Sequence, residues 1–311
     1  MAGRARVVFL GNDAWSVPSL EAVAGREDLD LALVVTAPPR PAGRGSRLRP
    51  TAVADAGGRL GLELLEADAL DDRRTVERLR ALSVDLFVVV AFGRILAGDL
   101  LRMPRRGAIN VHFSLLPRWR GASPVQHAIL AGDTHTGVTI MRIDEGLDTG
   151  PILRAASVPV EPDEDAGSLG ARLAVLGAEL LMATIPAVVA GAIDAVPQDG
   201  VPSYAPKLTP ADRRLDWADP AASIVGRVRA FAPAPGATAT WRGHVFKVLR
   251  AEVAPSAIGD PGTIVWSPDD VQVCAGSLGV RLIEVAPAGK RRMPAVAWAR
   301  GARLLSGERL S

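Results

Sequence analysis

The densest group of polar residues that could do chemistry lies between Ile109 and Gln126, in the run INVHFSLLPRWRGASPVQ. Asn110 and His112 are two residues apart near its start, and in a β-strand this spacing directs both side chains to one face. Asp148 follows in a second segment, DEGLDTGPIL, where flanking glycines allow the backbone a close approach. These positions predict one polar site made of an amide, an imidazole and a carboxylate.

This set of groups suits the transfer of an acyl or formyl group to an amine. The Asn110 amide can donate to the oxygen that becomes negative when the carbonyl is attacked. His112 can relay a proton, and Asp148 can orient the imidazole and stabilise its protonated form. An equally open reading from these residues alone is that His112 is a satisfied core histidine and Asp148 a turn residue.

Alternating strand and helix patterns must position these side chains. Short apolar runs that read as strands occur at 6–10, 31–36, 84–91, 108–112 and 139–143. With helical spacing between them, they predict an α/β fold with a doubly wound, Rossmann-like and mostly parallel sheet. Because such sheets bind ligands beyond the carboxyl ends of their strands, we expect the loops after Leu10, Thr36, Ala91 and His112 to converge on one site.

The second half of the chain changes in pattern. A long helical run at 166–190 is followed by a segment rich in proline and polar residues, and then by five short strands separated by Gly/Pro turns. Such strands predict a small OB-like β-barrel. We therefore predict a catalytic domain at 1–190, a linker at 191–208 and a barrel domain at 209–311.

Composition excludes several classes of protein. The single cysteine, Cys274, excludes a disulfide framework, and the four histidines show no metal-ligand spacing, so we expect no metal. The apolar run near the start is too short for a signal peptide, and no other stretch reads as membrane-spanning. These features predict a cytoplasmic protein that does not bind membranes, and we expect a monomer.

Charge is unevenly distributed along the chain. From Leu208 onward there are 14 basic and 9 acidic residues, against 22 basic and 25 acidic before it. A basic C-terminal part favours a polyanionic partner. An Arg-rich composition without any such partner explains the same counts equally well.

The run NVHFSLLPRWRGASPVQ, with GVTIMRIDEGLDTGPIL downstream, resembles the signature of the folate-dependent formyltransferases. The resemblance implies that Asn110, His112 and Asp148 are catalytic and that 10-formyltetrahydrofolate is the co-substrate. The residues that it implies for folate binding are Val90, Phe92, Ser114, Leu115, Leu116 and Pro117. The chain departs from the family pattern at Phe113, where a small residue is expected, and in its first loop, which contains Asn12 and Trp15.

Three features resemble the members of this family that formylate methionyl-tRNA: the basic loop RPAGRGSRLRP at 40–50, the segment SYAPKLTPADRRLDW and the C-terminal domain. In the basic loop, arginines in a Gly/Pro context can neutralise phosphates. The resemblance covers the chain from Arg6 to about Leu310 and implies methionyl initiator tRNA as the acceptor. The implied tRNA contacts are Arg40, Arg44, Arg47, Arg49, Lys207, Arg214, Lys247, Lys290 and Arg291.

Two other functions remain open at this point. A small-amine or amino-sugar N-formyltransferase would share the donor and the catalytic set but would not need the basic loop. A non-catalytic RNA-binding protein would share the fold but would not need Asn110, His112 and Asp148. Formyl transfer to charged tRNA, to a small amine or to neither separates the three.

Overall fold

The computed structural model describes residues 4–42, 47–96, 98–255, 259–305 and 307–311. Contacts divide the chain into two compact units. The first comprises Met1–Pro124, His135–Pro159 and Gly170–Pro206, and the second comprises Val125–Thr134, Val160–Leu169 and Lys207–Ser311. The domain limits drawn from the sequence at 190 and 208 stay a prediction.

The first unit is built on a seven-stranded sheet with helices on its faces. Its sheet strands are β1 (Ala5–Gly11), β2 (Leu29–Thr36), β5 (Leu64–Glu66), β6 (Leu86–Val90), β7 (Ala108–His112), β8 (His135–Arg142) and β9 (Ile152–Pro159). A separate hairpin is formed by β3 (Arg40–Ala42) and β4 (Arg47–Arg49). The helices are α1 (Val17–Ala24), α2 (Ala52–Arg59), α3 (Arg73–Ala81), α4 (Gly98–Leu101), α5 (Pro124–Leu130) and α6 (Ala166–Ala190), and α5 and α6 each contain residues of both units.

Strand order in this sheet is β5-β2-β1-β6-β7-β8-β9. The first five strands in this order run parallel to one another. At the other end, β8 pairs antiparallel with β7, and β9 pairs antiparallel with β8. Every residue of β6 is buried, because a parallel strand in this architecture is covered on both faces. The predicted mostly parallel α/β fold is confirmed.

The loops that follow β1, β2 and β6 meet at the carboxyl edge of the sheet. Asn12 joins them: its Oδ1 accepts from Thr36 Oγ1 at 3.0 Å and from the Ala37 N–H at 2.7 Å. Its Nδ2 donates to the Phe92 carbonyl. One side chain therefore fixes three of the four loops that the sequence predicted to converge.

The second unit is dominated by an antiparallel sheet, as predicted for a small barrel-like domain. The elements of this unit are α7 (Ala221–Phe231), β10 (Ala237–Trp241), β11 (His244–Ala254), β12 (Ile264–Trp266), β13 (Val271–Cys274), β14 (Gly279–Pro287), β15 (Met293–Pro294) and α8 (Ala295–Ala302). The strand order is β10-β11-β14-β13-β12, and β15 pairs with β14. The rings of Phe246 and Trp298 pack with their centroids 4.6 Å apart, and Trp241 meets Trp298 edge-on.

Helix α6 corrects one expectation. The sequence predicted no apolar stretch of membrane-spanning length, but this helix is long and apolar enough to cross a membrane by length and composition alone. Its apolar side chains recur at helical spacing and are buried at Leu169, Leu173, Leu181, Ile185 and Val188. Contact with the protein core explains the apolar residues of this buried face, since a helix that packs on a sheet needs a broad apolar face.

Candidate active site

His112 is the last residue of β7, and its side chain is only 5% exposed. Its Nε2 lies 2.9 Å from the carbonyl oxygen of Trp119. Because a carbonyl can only accept, Nε2 must carry the hydrogen, and in the neutral ring Nδ1 then holds the free lone pair. Nδ1 lies 3.7 Å from Asp148 Oδ2. The imidazole is thus oriented with its basic nitrogen towards the carboxylate.

Asp148 is held by the turn that follows β7. Its Oδ2 accepts from the Gly121 N–H at 2.8 Å. Asp148 has a left-handed backbone conformation with φ of 50°, which is uncommon outside glycine but tolerated by Asp. Gly121 itself has φ of 118°, and a Cβ there would lie 2.8 Å from the Ala205 carbonyl oxygen, so this donor position favours glycine.

Asn110 lies in the middle of β7, where its backbone pairs with Val89 on one side and Met141 on the other. It shares a strand face with His112, as the spacing predicted. Its side chain is half-buried, and no group in the described ranges forms a hydrogen bond with its amide. A donor without a protein partner beside an imidazole and a carboxylate is suited to an oxygen of a bound substrate.

The predicted folate-binding turn, 114–117, follows His112 directly and is internally fixed. Ser114 is fully buried, and its Oγ donates to the Arg118 carbonyl at 2.6 Å. Thr139 Oγ1 donates to the Ser114 carbonyl at 2.7 Å and accepts from the Leu116 N–H at 3.2 Å. The Ser114 hydroxyl is therefore engaged within the protein, while Leu115 and Pro117 are half-buried.

Val90 and Phe92, the other residues predicted to bind folate, lie at the carboxyl end of β6. Val90 is fully buried, and its carbonyl accepts from Ser16 Oγ at 2.7 Å. The Phe92 ring is 2% exposed and belongs to the core cluster that includes Val89 and Leu96. Both side chains are therefore part of the protein core at the carboxyl edge of the sheet.

The two departures from the family pattern contact each other. The rings of Trp15 and Phe113 pack edge to face, with centroids 6.0 Å apart and planes at 83°. Each also meets a glycine of α6: a Cβ at Gly170 would overlap the Trp15 ring, and one at Gly177 would lie 3.5 Å from Phe113 Cε1. The missing side chain at Gly170 leaves the space that the Trp15 ring fills, whereas the Phe113 ring is in ordinary van der Waals contact with the Gly177 position.

The basic loop expected at 40–50 is a β-hairpin in its described parts. Arg40 pairs with Arg49 across the two strands, and Ala42 pairs with Arg47. Cross-strand partners and residues two apart share a face, so Arg40, Arg47 and Arg49 lie on one face. All three are exposed, and Arg40 has Asp68 Oδ1 at 3.9 Å. Arg44, the remaining arginine of this loop that was implied to contact tRNA, lies outside the described residues.

The other basic residues predicted to contact tRNA belong to the second unit. Lys207, Arg214, Lys290 and Arg291 are exposed. Lys247 differs from them because it is half-buried and its Nζ donates to the Pro235 carbonyl at 2.9 Å. Lys247 is therefore the member of this set whose charge already has a structural partner.

Sequence reasoning missed three residues that build the site. Thr139 is opposite His112 across β7 and β8, and Gln198 and Ser203 lie in the segment read as a linker. The only signal for Thr139 was its place on a predicted strand, and Gln198 and Ser203 carry none. Over the described part of the chain, no group of three or more His, Cys, Asp or Glu side chains could hold a metal ion.

Comparison with known families matches both parts of the chain. Residues 5–185 match the family model described as formyl transferase, and residues 207–303 match that described as formyl transferase, C-terminal domain. The chain is 44% identical to a methionyl-tRNA formyltransferase of Roseiflexus sp. (strain RS-1), over 98% of this chain and 95% of that one. It is 45% identical to the enzyme of the same name from Thermobifida fusca (strain YX), over 98% of both.

Solved structures share the fold at low sequence identity. An N-formyltransferase from Helicobacter canadensis, in complex with folinic acid and dTDP-3-aminofucose, is 17% identical with a TM-score of 0.67, over 89% of this chain and 98% of that one. HypX from Aquifex aeolicus, in complex with tetrahydrofolic acid, is 17% identical with a TM-score of 0.66, over 96% of this chain and 47% of that one.

Proposed function

The chain belongs to the formyl transferase family, and we propose that it is a methionyl-tRNA formyltransferase, which moves a formyl group from 10-formyltetrahydrofolate to the amino group of methionyl initiator tRNA. The observation that carries the proposal is the grouping of Asn110, His112 and Asp148 at one sheet edge in a chain 44% identical to an enzyme of that name over almost its whole length. We assign this activity to the initiation of translation in the cytoplasm.

The proposed reaction forms one C–N bond and breaks another. The amine nitrogen of the acceptor attacks the formyl carbon, whose oxygen becomes negative, and the bond from that carbon to the folate nitrogen then breaks. The Asn110 amide donates to the oxygen while it carries the charge. Because this donor has no partner within the described residues, it needs no rearrangement to do so.

His112 moves the proton in this scheme. The acceptor amine must lose a proton as it forms the new bond, and the leaving folate nitrogen must gain one. Nδ1 is the free nitrogen of the neutral ring because Nε2 donates to the Trp119 carbonyl. After Nδ1 has taken the proton, Asp148 stabilises the imidazolium from 3.7 Å away, and His112 then delivers the proton to the leaving nitrogen.

The folate and tRNA contacts are part of the same proposal. The 114–117 turn and the carboxyl end of β6 at Val90 and Phe92 offer backbone groups and an apolar surface to the folate ring. The hairpin face formed by Arg40, Arg47 and Arg49 offers three guanidinium groups to phosphates. The exposed lysines and arginines of the second unit add a basic surface for the same polyanion.

The test is a comparison of acceptors at a fixed concentration of 10-formyltetrahydrofolate. We expect kcat/KM to be highest with methionyl initiator tRNA, lower with methionyl elongator tRNA and negligible with a nucleotide-linked amino sugar. A preference for the amino sugar would contradict the proposal and establish the small-amine function. Turnover with none of them would favour a non-catalytic RNA-binding protein.

A further inference from the structure

A hydrogen-bonded side chain from outside both signature segments connects the two halves of the catalytic site. Gln198 Nε2 donates to the carbonyl oxygens of Asp148 and Gly150, each at 2.8 Å. Its Oε1 accepts from Arg120 Nε at 3.1 Å and from Arg120 Nη2 at 2.7 Å. The amide thus uses both its donor and acceptor sides, and its orientation is fixed by its partners.

The backbone of residues 196–205, called the strap here, runs along the segments that carry Asp148 and Arg120. Val196 exchanges hydrogen bonds with Ile152 at 2.7 and 2.9 Å. Ser203 Oγ accepts from the Trp119 N–H at 2.9 Å. Ala205 donates to the Arg120 carbonyl at 2.7 Å and accepts from the Ser123 N–H at 3.1 Å. All of these residues belong to the first unit, so the strap is part of the catalytic unit.

The loop that carries Asp148 has few other attachments. Its residues 144–147 and 149 are exposed, and the hydrogen bonds of Gly146 and Thr149 go to Asp144 within the loop itself. Asp148 also adopts a left-handed backbone conformation, which is uncommon outside glycine although Asp tolerates it. Two hydrogen bonds join the strap to the backbone carbonyls of Asp148 and Gly150, and the Gln198 side chain donates both.

We infer that Gln198 is a positioning residue, which holds the Asp148 carboxylate in register with His112 by tying the Asp148 loop to Arg120. The inference rests on the proposed function, because the consequence of losing the tie is measured as formyl transfer. It acts through Asp148 and touches no reacting atom. A displacement of about 1 Å at a catalytic group is enough to cost on the order of 10²-fold in rate.

The test uses Gln198→Leu, which keeps the size and removes every hydrogen bond. We expect kcat for methionyl initiator tRNA to fall on the order of 10- to 100-fold, with KM for the folate and for the tRNA unchanged. Gln198→Glu still accepts from Arg120 but cannot donate to the two carbonyls, so it should be as slow as Gln198→Leu. Val201→Ala, at a neighbouring side chain that is 91% exposed, is the control and should match the wild type.

A double-mutant cycle with Asp148→Asn separates positioning from general stability. If Gln198 acts through Asp148, adding Gln198→Leu to Asp148→Asn costs little further rate, whereas independent effects multiply. Multiplicative losses, or a wild-type kcat in Gln198→Leu, would overturn the inference. If the wild type itself formylates only a small amine, the proposed function fails, and the same cycle run with that amine decides the role of Gln198.

Discussion

At the scale of single residues, the site depends on which nitrogen of His112 carries the hydrogen. The Trp119 carbonyl lies 2.9 Å from Nε2 and can only accept, so Nε2 carries the hydrogen. In the proposed reaction, Asn110 supplies an unpartnered amide, His112 a base at Nδ1 and Asp148 a carboxylate that the Gly121 N–H orients. We expect the fold to survive the loss of any one of these side chains, since none of the three is a large apolar side chain of the core.

A residue-scale prediction concerns Glu308, whose pKa is lowered to about 2 by its hydrogen bonds from Arg242, Leu305 and Trp241. A carboxyl whose pKa is lower when folded than when unfolded stabilises the fold above its unfolded pKa, near 4.5. That contribution is lost as the pH falls from about 4.5 through about 2. Glu308→Gln should lower the free energy of unfolding by about 1–2 kcal/mol at pH 7, measured by denaturant titration.

The difference between Glu308→Gln and the wild type should shrink steadily below pH 4.5 and disappear only below about pH 2. Glu77→Gln is a matched control, because Glu77 forms an exposed pair with Arg73 and should change stability little. A Glu308→Gln deficit that stays constant from pH 7 to pH 2 would contradict this account.

What the sequence could predict at this scale follows from local geometry. The two-residue spacing of Asn110 and His112 determines that they share a strand face, and the strand pattern was clear. The contact with Gly121 and the tie from Gln198 depend on chain segments 27 and 50 residues from Asp148. No local pattern encodes such contacts, so Gln198 was read as part of a linker.

At the scale of elements, the aromatic rings of Trp15 and Phe113 pack against α6. Trp15 and Phe113 are far apart in the chain, but their rings are in edge-to-face contact. Each departure was visible in the sequence, but their pairing depends on how α1, β7 and α6 pack. The ring of Trp15 lies against Gly170, where α6 presents no side chain.

We predict that Gly170→Ala destabilises the protein by about 1–3 kcal/mol, because the new methyl group overlaps the Trp15 ring. Thermal or denaturant unfolding measures the change. Gly58→Ala in α2 is the matched control, since a Cβ there meets nothing within 4 Å. It should be neutral or stabilising by about 0.5–1 kcal/mol, because alanine favours helix over glycine. Equal effects of the two substitutions would contradict the packing described for Trp15.

At the scale of the whole molecule, the hairpin and the second unit each carry exposed basic residues that the proposed function assigns to a polyanionic partner. The sequence predicted the arginines of 40–50 but described them as a loop. The strand pairing was missed because proline and glycine dominate the composition there. Pairing places Arg40 and Arg49 directly opposite each other, an arrangement of like charges that favours an anion between or above them.

We predict that Arg47→Ala weakens binding of methionyl initiator tRNA and lowers the slope of log Kd against log salt by about 0.7–0.9, the value for one phosphate contact. Folate KM should not change. Arg73→Ala is the matched control, because Arg73 is 90% exposed on α3 and pairs with Glu77. A salt slope equal to that of the wild type in Arg47→Ala would mean that this hairpin face is not a phosphate contact.

The central claim, that Asn110, His112 and Asp148 act as one formyl-transfer unit on methionyl initiator tRNA, is tested most directly by single-turnover transfer of a labelled formyl group. Enzyme in excess over charged tRNA and saturating 10-formyltetrahydrofolate report the chemical step alone. We predict that Asn110→Ala, His112→Ala and Asp148→Asn each slow this step on the order of 10² or more while tRNA binding and unfolding midpoints stay at wild-type values. A His112→Ala variant that transfers the formyl group at the wild-type rate would contradict the account.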